Sequence, residues 1–337
     1  MPSPQKFETW LRPEPSGLYC EPGDFFIDPL FPVERAVVTH GHSDHARPGH
    51  QAVLATGETL DIMKIRLADG AGKTMQALEY HETVQLGEAA VHLVPAGHIL
   101  GSAQVVIEYK GQRAVVSGDY KRQPDPTCQA FEPVKCDLFI TEATFGLPVF
   151  KFDSPGGEIK KLLTSLQAFP GQTHQVGVYG LGKCQRVIAL LREAGYEKPI
   201  WLHGALKATT DYYAQCGFKF GDVRLVAEAT EALGGEIVLC PPSALGDRWS
   251  RRFSEPIHAL ASGWMRVRAR ARLRGAELPL VISDHADWPN LLATVAETEA
   301  GEVWITHGRE EALVYELTRL GLKAKALSII GLEEELE

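Results

Sequence analysis

Short apolar runs that end in a polar, potentially ligating residue recur along this chain. They are FFID ending at Asp28, AVVTHGH at His40 and His42, VHLVPAGH at His98, AVVSGD at Asp119, LFITE at Glu142, LVISDH at His285 and VWITH at His307. Runs of this length, rich in β-branched residues and bounded by Gly and Pro, predict buried strands. Each strand then delivers its last residue to a common sheet edge, which gathers ligands from distant parts of the chain. The stretch 149–276 has a different grain. Ser154-Pro155 predicts a helix start, with Ile159, Leu162, Leu163 and Leu166 on one face. QVGVYG, GKCQRVIALLREAG, KPIWLHG and ALKATTDYYAQCG then alternate strand and helix, the rhythm of a parallel sheet flanked by helices. Ligand candidates lie on both sides of this stretch, so the pattern predicts one domain inserted into another: 1–148, the insert 149–276, and the returning 277–337.

Two fragments of THGHSDHA (39–46) recur, Thr306-His307-Gly308 and Ser283-Asp284-His285-Ala286. The flanking sequences share no extended similarity, so the echoes are one local solution used repeatedly, not a duplication.

Composition narrows the class. The chain has 337 residues, 45% of them hydrophobic, and a formal charge of −9, enough for two cores and unsuited to indiscriminate binding of nucleic acid. No apolar run approaches the roughly 20 residues of a membrane span and the N-terminus has no signal-type apolar core, so a cytoplasmic enzyme with no membrane partner is expected. The six cysteines form no CxxC pair and read as reduced and structural.

The chemistry starts at His40-x-His42-x-Asp44-His45. Four ligating side chains in six residues cannot point one way along a strand or helix, so the segment is a turn that fans them around two centres. Imidazoles mixed with carboxylates suit zinc, iron or manganese rather than calcium. His98 and Asp119, placed after later strands, are the remote partners. A Glu at the end of an apolar strand needs a partner, and a carboxylate beside an imidazole moves it toward a proton-donor range, which pairs Glu142 with His285. Ser43, Ser283 and Asp284 read as turn-formers.

The order Asp28, HxHxDH at 40–45, His98 and Asp119 resembles the metallo-β-lactamase superfamily of dinuclear metal hydrolases. Glu142 in ITEATFG, His285 in ISDHADW and His307 in ITHG, with a domain inserted between Glu142 and His285, are similar to its β-CASP nucleases. These include Artemis-type DNA nucleases and RNA 3′-end-processing endonucleases. SDHADW and ASGWMRVR resemble bacterial ligase-associated DNA exonucleases in particular. The resemblance implies an α/β fold, a metallo-β-lactamase αββα sandwich carrying an inserted β-CASP α/β domain. It implies that His40, His42 and His98 hold one metal, that Asp44, His45 and His307 hold the other, and that Asp119 bridges them. Asp28 then orients a ligand histidine, and His285, positioned by Glu142, acts as general acid or phosphate contact, so that the catalytic set is Asp44, Asp119, Glu142 and His285. Two divalent ions are expected, zinc first with manganese or iron as alternatives. Two cations about 3.5 to 4 Å apart activate water and clamp a phosphoryl displacement.

The resemblance further implies DNA as a substrate favoured over RNA, an exonuclease role in DNA repair, with 5′ ends by analogy, and association with a DNA ligase. A β-CASP ribonuclease is the alternative, and a glyoxalase-like ester or thioester hydrolase the less favoured one. From Arg248 to Arg274 eight arginines face the single acid Glu255, the electrostatic footprint of a phosphate-tracking groove. Arg248, Arg251, Arg252, Arg266, Arg268 and Arg270 are the candidate contacts, on a strand face or around a helix. Trp249, Phe253 and Trp264 are candidates for base stacking or for burial. GVYGLGK (177–183) satisfies a phosphate-loop spacing, but Cys184 stands where that loop needs a hydroxyl. Lys183 is therefore expected near a substrate phosphate rather than on a nucleotide.

Overall fold

The computed structural model describes residues 6–327; the outer ends of the first and last expected segments, 1–5 and 328–337, lie outside the described residues. The described residues divide into two units, one holding those up to Phe150 and again those from His285, the other Lys151–Asp284.

In the first unit β1 (Leu11–Glu14), β2 (Gly17–Cys20), β3 (Phe25–Ile27), β4 (Arg35–Val37), β5 (Ala52–Ala55) and β6 (Thr74–Ala77) join in chain order, with α1 (Gly57–Leu67) between the last two. A second sheet starts with β7 (Thr83–Leu86), β8 (Ala89–Pro95), β9 (Ala103–Tyr109), β10 (Gln112–Val116) and β11 (Leu138–Ala143).

The second unit follows as α2 (Pro155–Ala168), β12 (His174–Gly177), α3 (Lys183–Glu193), β13 (Ile200–Leu202), α4 (Lys207–Gln215), β14 (Val223–Leu225), β15 (Ile237–Cys240), β16 (Ile257–Ala261), α5 (Arg268–Leu273) and β17 (Leu278–Leu280). Its sheet has the order β14-β13-β15-β12-β16-β17, parallel throughout. The chain then returns through α6 (Trp288–Thr298), β18 (Glu302–Gly308), α7 (Glu310–Arg319) and β19 (Lys323–Ala326). β18 lies parallel beside β11 and completes the second sheet, β19-β18-β11-β10-β9-β8-β7.

The apolar runs are continuous because their strands are covered on both faces. In β9, β10 and β11, Val105, Ile107, Ala114, Val116, Leu138 and Ile140 enter one core with Leu18, Phe25, Ile27, Val37 and Leu54 of the first sheet. The alternate residues Val106, Val115 and Phe139, with Val303 and Ile305 of β18, enter another under Leu291 and Val295 of α6 and Leu313 and Leu317 of α7. Ala36, Val53 and Ala55 pack on Leu60 and Met63 of α1. The layers are thus helix, sheet, sheet, helix: an αββα sandwich with an α/β unit inserted. Among the described residues, no helix is long and apolar enough to cross a membrane.

Three expectations change. The units meet at Phe150/Lys151 and Asp284/His285, not at 148/149 and 276/277. The second shift has a plain cause: Leu278–Leu280 pairs with Ala259–Ala261 of β16 and so belongs to the inserted sheet. For the same reason LVISDH is not one strand ending at His285. Residues after Leu280 leave regular structure until α6, whose N-cap Asp287 accepts the Asn290 N–H. Of the strand face and the helix left open for the arginines of residues 266–274, the structure takes the helix, a short 3-10 turn, Gly263–Arg266, followed by α5. The third change is a cap. Ser154 does precede α2, with Pro155 in the first turn, but its side chain makes no capping bond.

Candidate metal centre

Asp28 follows β3 in a left-handed conformation, φ 44°. Its carboxylate accepts the Thr39 N–H (2.7 Å), the Thr39 hydroxyl (2.6 Å) and the His45 Nδ1–H (2.7 Å). Having given its proton to Asp28, the Thr39 hydroxyl accepts from His40 Nδ1 at 3.0 Å. Both contacts put the ring proton on Nδ1, so His40 and His45 each offer the Nε2 lone pair to a metal. Thr39 is a member of this site that the residue pattern did not single out; a hydroxyl beside a ligand carries no signal until Asp28 is brought to it.

The other ligands arrive by different routes. His98 follows β8, in a turn where the Ser102 hydroxyl accepts the His98 and Ile99 N–H groups. Asp119 follows β10 through Gly118 at φ 55°, where an added Cβ would lie 2.8 Å from the Thr39 side chain. Only glycine therefore lets β10 pass Thr39. His307 lies in β18 at φ 61°, where the pairing with β11 shifts register between Thr141 and Ala143. That bulge re-aims Glu142 and His307 together.

Three sets of atoms converge, each within 4.8 Å of one another: His40, His42, His98 and Asp119; Asp44, His45, Asp119 and His307; Asp119, Glu142 and His285. His42 Nδ1 lies 3.1 Å from His40 Nε2 and 3.0 Å from His98 Nε2. Asp119 Oδ2 is 3.5 Å from His40 Nε2, 3.7 Å from His98 Nε2 and 3.4 Å from His45 Nε2. Asp44 Oδ2 is 3.5 Å from His45 Nε2 and 3.4 Å from His307 Nε2. Ligand bonds of about 2.0 to 2.1 Å in a tetrahedron place the donor atoms roughly 3.3 Å apart, so these spacings fit two cations sharing Asp119. Asp119 Oδ1 and His45 Nε2 are buried without a hydrogen-bond partner, which a metal ligand can afford and an ordinary core group cannot. Two divalent-metal sites follow.

Electrostatics agree with the donor set. Burial, with His45 adding to it, holds His40 well below the usual imidazole range, in the neutral form a cation needs. Burial opposes charge on His45 too, but the carboxylates of Asp119, Asp44 and Asp28 outweigh it and hold that imidazole well above its usual range. His307 is likewise raised, by Asp119 and Asp44 against burial. Burial alone would raise Asp44 and Asp119; the nearby histidines, His45 foremost, hold both low.

Glu142 and His285 are buried together, His285 Nδ1 lying 2.9 Å from Glu142 Oε2. The Tyr120 N–H donates to Glu142 Oε1 at 2.7 Å, and so anchors the carboxylate.

The expected nucleic-acid contacts divide. Arg248, Arg251, Arg252, Arg266 and Arg268 are exposed, while Arg270 is half-buried with its guanidinium 3.7 Å over the Trp264 ring. Trp264 is buried and Trp249 and Phe253 are half-buried. Lys183 is a correction. Its ammonium is buried and pairs with Asp284 at 2.9 Å, beside Arg186 Nη1 at 3.1 Å from the same carboxylate. Asp284 already supplies the anion expected from a phosphate, and Gln185 Oε1 accepts the Gly182 N–H at 2.8 Å. Asp284 and Ser283, whose carbonyl accepts from Arg186, are thus buried partners and not turn-formers.

No family model matches the chain. It is 30% identical over 326 residues to a probable DNA ligase of Opitutus terrae, covering 95% of this chain and 31% of that one. It is 26% identical over 254 residues to the endoribonuclease YSH1 of Mycosarcoma maydis, covering 61% of this chain and 27% of that one. It is 30% identical over 235 residues to the cleavage and polyadenylation specificity factor subunit 3 of Dictyostelium discoideum, covering 57% and 29%. The chain spans about a third or less of the length of these curated relatives. A solved structure of a protein of unknown function from Enterococcus faecalis superposes with TM-score 0.56 at 13% identity, covering 80% of this chain and 74% of that one, a likeness of fold.

These names overturn the expected DNA exonuclease and the preference for DNA over RNA as partner. The YSH1 relatives are named as endoribonucleases, and the DNA-linked relative is named for ligation, so the ligase-associated exonuclease resemblance finds no support. The physical reason is that HxHxDH and its partners address the phosphodiester, which both polymers share. The sugar is distinguished by contacts to its 2′-OH, and no ligand motif encodes those.

Proposed function

We infer that this chain, for which the relatives support the metallo-β-lactamase and β-CASP superfamily, is a metal-dependent endoribonuclease. The observation that carries this is the pair of four-residue ligand groups sharing Asp119, with the Glu142–His285 pair in contact with the same aspartate. The names of the endoribonuclease relatives supply the polymer. We assign His40, His42 and His98 to one cation, Asp44, His45 and His307 to the other, Asp119 to both, and zinc as the metal because the donors are mostly imidazole. When bound, the metal pair activates water near neutral pH and offsets the charge of an in-line phosphoryl displacement.

The chain's own residues do the rest. Asp28 and Thr39 hold His40 and His45 in the tautomer that points Nε2 inward. Glu142, anchored by the Tyr120 N–H, orients His285 through Nδ1. Nε2 of His285 is then the atom that hands a proton to the leaving oxygen. The arginines of the inserted unit hold the polyanion.

RNA and DNA oligonucleotides labelled separately at each end, incubated with metal-loaded protein and with its Asp119→Ala variant, test the reading. Internal cuts in RNA, lost in the variant, are expected. Cleavage of DNA with RNA left intact, or activity that survives Asp119→Ala in protein verified for metal content, overturns it.

A further inference from the structure

The carboxyl edge of the inserted parallel sheet carries an aromatic and cationic cluster that the metal centre does not use. His203 follows β13 directly, and Trp249 lies in the 3-10 turn Arg248–Arg252 of the connection leaving the neighbouring β15. In α/β sheets, the region beyond the carboxyl ends of the strands is where ligands bind. The His203 and Trp249 rings lie 4.6 Å apart at 67°, and Phe253 closes the other side at 5.4 Å.

The cluster is anchored to the sheet. Trp249 and Phe253 pack on the core of Trp201, Val226, Leu233 and Val238. The Ser250 hydroxyl donates to Gln175 of β12 at 2.6 Å, tying the turn to the sheet. The Arg252 guanidinium sits 5.1 Å over the Trp249 ring while its Nε donates to the Trp249 carbonyl at 3.1 Å. Arg248, Arg251 and Arg252 are all exposed. His203 Nδ1 accepts the Ala205 N–H at 3.1 Å, which puts its ring proton on Nε2. A held indole, a guanidinium plane laid on it and an imidazole at its edge are the elements that recognise an unpaired base. The bases of single-stranded RNA stack on aromatic rings and on arginine planes, with cationic side chains tracking the phosphates.

We propose that His203, Trp249 and Arg252 form a stacking site for an unpaired base of single-stranded RNA; this rests on the ribonuclease reading for its choice of polymer. The test measures binding, not turnover. Full-length protein carrying Asp119→Ala is titrated by fluorescence anisotropy with a short oligouridylate, with an abasic sugar-phosphate oligomer of equal length and with the matching oligodeoxyuridylate. Adding His203→Ala or Arg252→Ala, both outside the core, weakens oligouridylate binding about tenfold and abasic binding less than about twofold. An equal loss on both RNA-type probes reduces the site to a phosphate contact and overturns the proposal, as does no loss on either. A base-dependent loss on the deoxy probe, together with failure of the metal-loaded protein without Asp119→Ala to cut RNA, leaves the stacking site standing while the ribonuclease reading falls.

Discussion

Asp28 touches no proposed ligating atom, yet two ligand histidines depend on it, His45 directly and His40 through Thr39. Replacing it with Ala frees both rings to turn. Because partners behind metal ligands typically matter at the 10- to 100-fold level, Asp28→Ala should weaken binding at the His45 site by about that factor. Competition with a chromophoric chelator measures it; unchanged affinity in a folded variant would contradict the role. The histidines also predict a pH dependence. His45 and His307 are raised because carboxylates outweigh burial, so near neutral pH the metal-free protein holds protons that an incoming cation must displace. Affinity therefore rises as pH rises through those raised values and falls below them. Calorimetry in buffers of different ionisation enthalpy should show net proton release on loading, and zero release would refute the assignment. The candidate ligands were legible as residues because imidazole and carboxylate chemistry is local. Thr39 and the Tyr120 N–H were not, because each acts through a partner far along the chain.

At the scale of elements, the apolar runs predicted the strands well, since a strand covered on both faces must be apolar at every position. They failed where pairing decides. Leu278–Leu280 reads like the strands that feed the metal centre, but its partner is β16, and only the ladder reveals this. Lys183 shows the same limit. At the start of α3 after a glycine-rich turn it has the sequence of a phosphate ligand, and burial against Asp284 makes it an internal ion. Lys183→Met should therefore act on stability. Removing one partner of a buried pair costs about 3 to 5 kcal/mol, and Arg186 retains one carboxylate oxygen, so a loss of about 3 kcal/mol is expected in denaturant unfolding. A variant of unchanged stability that binds RNA less tightly would restore the phosphate role.

The whole molecule divides into two units with separate cores, and every proposed metal ligand belongs to the first. Chelation should then act unevenly. A ligand held at about a hundredfold above its dissociation constant adds roughly 2.7 kcal/mol to the unit that binds it. Scanning calorimetry should show one transition falling by roughly 5 to 10 °C on metal removal while that of the inserted unit stays in place. Equal displacement of both would mean that the units unfold as one. The net charge of −9 conceals the arginines of residues 248–274, and seven of the eight lie on two short turns, Arg248–Arg252 and Gly263–Arg266, and on α5 within the inserted unit, with Arg274 as the C-cap of α5. At this scale, composition alone would have misled.

The sequence by itself pointed to the buried strands, the inserted α/β unit and the candidate ligands. Apolar periodicity reports burial on each face, and His, Asp and Glu at strand ends report donor chemistry, and both are properties of a few neighbouring residues. Tertiary structure alone decided the rest. It set the boundary after β17, the bulge that turns Glu142 and His307 toward Asp119, the burial of Lys183, and the stack of Arg252 on Trp249 beside His203. Most of these outcomes depend on pairing between segments tens of residues apart, and the rest on packing that no local pattern fixes. A local pattern can permit such pairings without selecting among them.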